Sequence, residues 1–278
     1  MNYRHAYHAG GAADVFKHVV LTLLVDALRA KEKPFAVLDT HAGIGRYDLA
    51  GIEAGKTGEW RDGIGRLLGG VAPEGTGLYL DIVRAMNGGG DGIAAYPGSP
   101  AIVRAMLRPQ DRLRLVELHP DDLAALKRLY AGDGQVAVHH RDAYEALKAL
   151  TPPPERRGLA LVDPAFEVED EFARMVRALA EAHRRWPTGI YALWHPIKHR
   201  APVDRFHGDL VNTGIRRILA VELTVHAEAR PDRLTGSGLA IVNPPFGLEA
   251  RLAETLPPLQ SLLARDGGGV DVRWLAPE

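Results

Sequence analysis

The chain has 278 residues, of which 46% are hydrophobic, and this length and composition suit one α/β domain that carries an insertion. It contains no cysteine, which excludes disulfides, thiolate zinc sites and cysteine nucleophiles and is typical of a cytoplasmic protein. The net charge of -1 favours no class of partner, and the sequence shows neither an export signal nor an apolar run of about 20 residues, so no membrane span is expected.

The first predicted helix follows a polar segment, residues 1–11, that is rich in tyrosine and histidine. Apolar residues recur at helical spacing over residues 15–28, with Asp14 as a possible cap. Lys17 and His18 fall off this apolar stripe, and the simplest interpretation is a flexible tail followed by two solvated side chains. The histidines of the tail lack a second cluster of ligands, so no metal site is expected.

A glycine loop follows the first predicted strand, Lys33–Asp39. The loop reads Thr40-His-Ala-Gly-Ile-Gly45, and glycines at the end of a buried strand let a ligand approach the backbone. It is not the complete dinucleotide-binding fingerprint, because Asp48 occupies the position of the third glycine.

Residues 48–96 are predicted to form a small helical insertion. Within it, residues 51–57 imitate a phosphate-binding loop but are one residue short of the required spacing. The insertion is followed by Tyr96-Pro-Gly-Ser-Pro100, where Ser99 is either the cap of the next helix or a ligand contact.

Three further predicted strands end close to an acid. They cover residues 112–117, 136–139 and 158–163, and their acids are Glu117, Asp142 and Asp163. In an open α/β sheet, ligands bind beyond the carboxyl ends of the strands. These positions are therefore candidates for a binding site, although Asp163-Pro-Ala-Phe166 alone also fits an ordinary capped turn. The later apolar runs, at 189–194, 218–225, 239–242 and 270–274, suit a sheet with an antiparallel edge.

Together these motifs resemble the RlmJ family, which methylates adenine N6 in 23S ribosomal RNA. The resemblance runs nearly end to end and rests on the following segments: Tyr3-Arg-His, His8-Ala-Gly10, Asp14, Lys17-His18, Asp39-Thr-His-Ala-Gly-Ile-Gly45, Tyr96-Pro-Gly-Ser-Pro100, Glu117-Leu-His-Pro120, Asp142, Asp163-Pro-Ala-Phe166, Tyr191-Ala-Leu-Trp194 and Asn243-Pro-Pro245. It implies a Rossmann-like class I methyltransferase of the α/β class, with a mostly parallel seven-stranded sheet and an antiparallel edge. It also implies a single domain over residues 1–278, S-adenosylmethionine as cofactor, and a monomer.

The resemblance also assigns residues. The residues implied to hold the cofactor are His18, His41, Gly43, Ser99, Glu117, Asp142, Ala143 and Asp163. Asp163 is the implied catalytic acid. The residues implied to meet the RNA substrate are Tyr3, Lys17, Pro164 and Phe166, which gives the polar tail a role.

The catalytic motif departs from the family pattern, which ends Pro-Pro-Tyr, whereas this chain has Ala165 and Phe166. Phe166 keeps an aromatic face for stacking, so base binding is expected to survive. A rival motif, Asn243-Pro-Pro-Phe246, matches amino-methyltransferases more literally. We favour Asp163 because it follows the fourth strand of the alternating part of the chain.

Other functions stay open at this point. A DNA adenine methyltransferase would use the same chemistry, but a separate sequence-reading domain would then be expected. A non-catalytic RNA-binding assembly factor would keep the fold without turnover. A nicotinamide-dependent oxidoreductase would also use strand-end glycines, but its glycine spacing is missing.

Overall fold

The structure is a computed structural model that describes residues 4–89, 92–229 and 233–278. Tyr3 therefore lies outside the described residues. After a 3-10 helix at His5–Tyr7, the helices are α1 (Ala12–Arg29), α2 (Ile52–Thr57), α3 (Glu59–Asp62), α4 (Ile64–Gly69), α5 (Gly77–Met86), α6 (Ser99–Met106), α7 (Pro120–Leu129), α8 (Ala143–Leu150), α9 (Glu171–Arg185), α10 (Arg200–Asn212) and α11 (Leu248–Leu263). The strands are β1 (Ala36–Asp39), β2 (Arg46–Asp48), β3 (Ala95–Pro97), β4 (Arg112–Glu117), β5 (Val136–His140), β6 (Gly158–Val162), β7 (Ile190–Ile197), β8 (Ile218–Thr224), β9 (Gly236–Val242) and β10 (Gly269–Ala276).

The central sheet has the order β10-β8-β9-β7-β6-β1-β4-β5. The pairs from β7 to β5 are parallel, whereas β9 is antiparallel to β7 and β8, and β10 is antiparallel to β8. The predicted antiparallel edge is confirmed. The predicted number of seven strands is wrong, because the apolar run at 270–274 pairs with β8 as an eighth strand.

The middle of the sheet is formed by β1 and β6, every residue of which is buried. The first residue of β6 is Gly158. The position needs glycine because a Cβ there would overlap the carbonyl oxygen of Ala36 on β1. One apolar cluster contains α1 and α11, and a second, on the other face, contains α9 and α10. A long, apolar helix of the kind that crosses a membrane was not found in the described part of the chain.

Helices α2 to α5 lie between β2 and β3, which pair with each other as a two-stranded antiparallel sheet. The polar N-terminal segment contacts the first two of these helices. The Thr57 hydroxyl donates to the carbonyl of Tyr7, and His8 Nδ1 lies 2.9 Å from Glu59 Oε1. Residues 4–11 are therefore held against the helices, so the flexible-tail interpretation is wrong for the part of the tail that the structure describes.

Candidate active site

A cavity of about 250 Å³ opens at the carboxyl ends of β1, β4 and β6. Ten of the residues predicted from the resemblance line it, namely Lys17, His18, His41, Gly43, Ser99, Glu117, Asp142, Ala143, Asp163 and Pro164. Phe166 is not part of this lining. The cavity lies where ligands bind in open α/β sheets, because parallel strands bring their carboxyl ends to one edge.

Lys17 reaches Asp163 from α1. Its Nζ lies 2.6 Å from Asp163 Oδ2 and 2.8 Å from Asp14 Oδ1, and only 5% of its side chain is exposed. Burial alone would lower the pKa of Lys17, but the two carboxylates raise it well above its usual value. Lys17 is therefore a buried, protonated lysine, and its interpretation as a solvated side chain is wrong.

Asp14 does not cap α1, as was predicted, because Gly11 is the N-cap residue. Its Oδ2 accepts a hydrogen bond from the backbone N–H of Gly10 (3.1 Å) and lies 2.9 Å from His5 Nε2. Burial alone would raise the pKa of Asp14, but neighbouring His5 and Lys17 hold it well below its usual value. Sequence analysis missed this role, although an acid three residues before a lysine in an apolar helix was a signal that both are paired.

The glycine loop is fixed to the end of β4 by Glu117. Its Oε2 accepts a hydrogen bond from the Gly43 N–H (2.8 Å), and its Oε1 accepts one from His119 N–H (2.8 Å). Burial raises the pKa of the Glu117 carboxyl. Gly43 has a φ of +60°, and a Cβ there would overlap the hydroxyl of Tyr47. The loop thus needs glycine at this position.

Asp39, at the end of β1, is a buried acid that sequence analysis did not assign. Its Oδ2 accepts a hydrogen bond from Ser99 Oγ (2.6 Å), and its Oδ1 accepts one from His41 N–H (3.3 Å). Burial raises the pKa of Asp39 to about 6. Ser99 is the first residue of α6 and Gly98 is its N-cap, so the prediction that Ser99 caps this helix is wrong.

Two histidines line the cavity in their neutral form. Burial lowers the pKa of His41 to about 4 and that of His18 to about 3. His41 Nδ1 accepts the backbone N–H of Asp163 (3.3 Å), which leaves its proton on Nε2. His18 Nδ1 lies 2.8 Å from the Tyr96 hydroxyl, and His18 Nε2 is buried without a partner in the described ranges. Two imidazoles therefore bring polar atoms to the cavity wall.

Asp142 caps α8, since its Oδ1 accepts hydrogen bonds from two backbone N–H groups of the helix (2.9 and 3.1 Å). Its Oδ2 lies 3.6 Å from Arg174, whose guanidinium stacks 4.8 Å from the Tyr144 ring. The Tyr144 hydroxyl donates to Glu171. Arg174, Tyr144 and Glu171 line the cavity, and no sequence motif had indicated them.

Phe166 lies just beyond the cavity with a φ of +54°. Its ring meets Phe172 edge to face at 4.8 Å and Trp194 at 6.0 Å. Trp194 is adjacent to Asp163 because Val162 pairs with Leu193 across β6 and β7. An aromatic corner thus stands beside the Asp163 carboxylate.

The rival motif lies elsewhere. Asn243 follows β9, which runs antiparallel to β7, and Val242 pairs with Tyr191 at the start of β7. The Asn243 side-chain amide donates to the carbonyls of Pro187 and Gly189, at 2.8 Å each. Asn243 therefore has a structural role, and it lies at the ends of the strands opposite the cavity.

A second buried cluster consists of His195, His207 and Glu222, whose potential ligand atoms lie within 4.8 Å of one another. Arg200 donates to both oxygens of Glu222 (2.5 and 2.9 Å). Arg273 Nη2 lies 3.1 Å from His207 Nδ1, and since an arginine only donates, the His207 proton is on Nε2. Arg200 and Glu222 form the ion pair of this cluster, while both ring nitrogens of His195 and Nε2 of His207 are buried without a hydrogen-bond partner in the described part of the chain.

Comparison with known proteins agrees with this geometry. A family model described as "Ribosomal RNA large subunit methyltransferase D, RlmJ" matches residues 32–276. Two proteins named ribosomal RNA large subunit methyltransferase J, from Haemophilus influenzae and Escherichia coli, are each 42% identical to this chain over 280 residues, with 100% of both sequences covered. A crystal structure of a Legionella pneumophila protein is 32% identical, covers 96% of this chain and 98% of that chain, and superposes with a TM-score of 0.87. The chain therefore belongs to the RlmJ family of ribosomal RNA large subunit methyltransferases.

Proposed function

We propose that this protein transfers a methyl group from S-adenosylmethionine to the exocyclic N6 of an adenine in 23S ribosomal RNA. The observation that carries the proposal is the Asp163 carboxylate at the end of β6. Lys17 occupies its Oδ2, and its Oδ1 has no hydrogen-bond partner among the described residues. The carboxylate thus has one oxygen free to accept a hydrogen from a substrate.

The residues present fit the proposed cofactor. Glu117 at the end of the second parallel strand is placed to accept hydrogen bonds from ribose hydroxyls. Gly43 and His41 of the glycine loop line the cavity, and the unpartnered His18 Nε2 offers a buried polar atom to a ligand. Asp142 and Ala143 would hold the adenine of the cofactor. When bound, S-adenosylmethionine supplies a methyl group whose bond to the positively charged sulfur breaks with the electron pair left on sulfur.

The chemistry at the acceptor is assigned to Asp163 and Pro164. An adenine N6 is a poor nucleophile, because its lone pair is delocalised into the ring. Hydrogen bonds from its two amino hydrogens to Asp163 Oδ1 and the Pro164 carbonyl would localise that pair and stabilise the positive charge that grows on nitrogen. As the new N–C bond forms, one amino proton passes to the Asp163 carboxylate.

The target adenine must also be able to reach the Asp163 carboxylate. A base inside a duplex is out of reach, so the adenine must be unpaired or flipped out of its stack. The Phe166 and Trp194 rings meet edge to face next to Asp163, and this arrangement supports stacking of an extruded base on one of them. Tyr3 and Lys17 are proposed as the other residues on the substrate side.

The proposed function also concerns the whole chain. We infer one domain over residues 1–278 with residues 48–96 as its insertion, acting as a monomer in the cytoplasm, where 23S ribosomal RNA is made. Residues of α4 and α5 share the apolar cluster of α1, which supports a single unit. Sedimentation of the purified chain at two concentrations would test the monomer.

The direct test is methyl transfer from labelled S-adenosylmethionine to deproteinised 23S ribosomal RNA, with nuclease digestion to identify the product. The native chain should form N6-methyladenosine, and Asp163→Ala should reduce the rate at saturating S-adenosylmethionine by about 100-fold or more, with calorimetry measuring any change in cofactor affinity separately. Asn243→Ala is the matched control and should remain active. Transfer only to DNA would show a DNA methyltransferase, and cofactor binding without transfer to either would support a non-catalytic assembly factor.

A further inference from the structure

Asp14 is the only carboxylate other than Asp163 that contacts the ammonium of Lys17 in the described part of the chain. It lies on α1, is 3% exposed and does not line the cavity. One of its oxygens bonds Lys17, and the other accepts from Gly10 and lies beside His5. Asp14 thus touches no ligand, but it holds the lysine that touches Asp163.

The charges of Asp14, Lys17 and Asp163 matter for the reaction. A protonated lysine paired with Asp163 alone would give a neutral pair, whereas Asp14, Lys17 and Asp163 together carry a formal charge of -1. His5, which lies on the other oxygen of Asp14, adds a positive charge only when it is protonated. The group that gains charge during the proposed methyl transfer is an amine that becomes positive. A neutral pair would stabilise that charge much less than a cluster that keeps one negative charge.

We propose that Asp14 is a positioning residue which, by sharing Lys17, gives the Asp14–Lys17–Asp163 cluster a net negative charge to offer the substrate amine. This inference rests on the proposed function. Sharing also fixes the geometry: with one hydrogen of the ammonium directed at Asp14, Lys17 stays on Oδ2 of Asp163 and leaves Oδ1 open.

Other groups also face Lys17 from the elements packed around it. They are His5 of the 3-10 helix, Asp14 and His18 of α1, Asp39 at the end of β1, Tyr79 of α5, Asp163 after β6 and the Trp194 ring of β7 at 6.0 Å. His18 is neutral at working pH, since burial lowers its pKa to about 3. A substitution of Asp14 leaves Asp39 in place, so the variant changes the charge of one group only.

The test is Asp14→Asn, which keeps the size of the side chain and removes its charge. At pH 7 we expect kcat to fall by about 10-fold with the dissociation constant of S-adenosylmethionine unchanged. Loss of one carboxylate lets Lys17 lose its proton at a lower pH, which restores the negative charge. The kcat of the variant should therefore rise toward the native value as the pH is raised to 10, while the native kcat stays flat.

Asp26→Asn provides the control, since Asp26 lies on α1 like Asp14 and the substitution removes only its partly exposed ion pair to Arg251 of α11. It should leave kcat and its pH profile native-like. A deficit of Asp14→Asn that is constant with pH would mean that Asp14 only supports the fold, and it would overturn the inference.

A second measurement does not depend on activity. NMR of the chain with lysine labelled at the ε-carbon follows the protonation of Lys17, whose signal is identified by its absence in Lys17→Arg. The Lys17 pKa should be lower in Asp14→Asn than in the native chain, and an unchanged pKa overturns the inference even if kcat falls. If the native chain transfers no methyl group, the proposed function fails, and the inference, which rests on it, falls with it whatever Lys17 titrates at.

Discussion

Asp163 and Asn243 lie beyond opposite ends of the strands of one sheet, although each follows a buried strand and precedes a proline. Asp163 follows β6, which is parallel to β7, and Asn243 follows β9, which is antiparallel to β7. The direction of the preceding strand therefore decides which motif reaches the cavity. Asn243-Pro-Pro-Phe246, which matches the amino-methyltransferase motif more literally, lies away from the cavity.

Asn243→Ala should destabilise the fold and spare the site. It removes two hydrogen bonds, each worth about 1 kcal/mol, and places alanine at a φ of +53°, which costs about 1 kcal/mol more. The free energy of unfolding in urea should fall by about 3 kcal/mol. Asn243→Gly should lose about 1 kcal/mol less, because glycine accepts this φ. Native stability with lost methyl transfer would contradict our assignment.

Gly43→Ala should weaken binding of S-adenosylmethionine. The added Cβ would overlap the Tyr47 hydroxyl at a φ of +60°, so the loop and its hydrogen bond to Glu117 must shift. We expect calorimetry to show an affinity loss of about 10-fold or more. Gly88→Ala, at a φ of +75° in open space, is the control for backbone strain and should bind normally. Equal losses in both variants would show that strain alone is responsible.

Phe166→Ala should impair use of the RNA and leave cofactor binding intact. Stacking of a base on an aromatic ring is worth about 1–3 kcal/mol, so kcat/KM for RNA should fall by about 5- to 150-fold. Phe166→Tyr keeps the ring and should stay near the native value. Phe246→Ala removes a fully exposed ring at the opposite edge and should change nothing. Unchanged kcat/KM in Phe166→Ala would exclude stacking on this ring.

The cavity was predictable because it depends on chain direction. Buried parallel strands appear in the sequence as apolar runs, and their carboxyl ends share one edge, so Glu117 and Asp163 were expected near the glycine loop. The apolar runs in the sequence already include the eighth strand, at 270–274, which pairs with β8. The count of seven came from the family resemblance and not from these runs.

Contacts between distant residues were not predictable in the same way. Lys17 and Asp163 are 146 positions apart, and the sequence shows only that a lysine interrupts an apolar helix. Ser99 illustrates a local rule that failed: Gly98 takes the cap position, and the serine hydroxyl instead bonds Asp39, 60 positions away. Side-chain partners depend on packing, which hydrophobic periodicity does not encode.

Asp39→Asn should change stability in a pH-dependent way. Burial raises the pKa of Asp39 to about 6, so the folded state favours the protonated acid, and ionisation of this group weakens the native fold as the pH rises from 4 to 6. The amide does not titrate. Relative to the native chain, Asp39→Asn should therefore be more stable at pH 8 than at pH 4.5, by about 2–3 kcal/mol. Urea unfolding of both chains at the two pH values measures this difference.

Asp111→Asn is the matched control for that experiment. Burial alone would raise the pKa of Asp111, but its hydrogen bonds from Arg108 lower it, so this acid stays ionised in the folded chain from pH 4.5 to 8. The stability difference between Asp111→Asn and the native chain should be constant over this range, because neither form titrates there. A constant difference for Asp39→Asn as well would mean that Asp39 is ionised throughout, and that the Ser99 and His41 hydrogen bonds outweigh its burial.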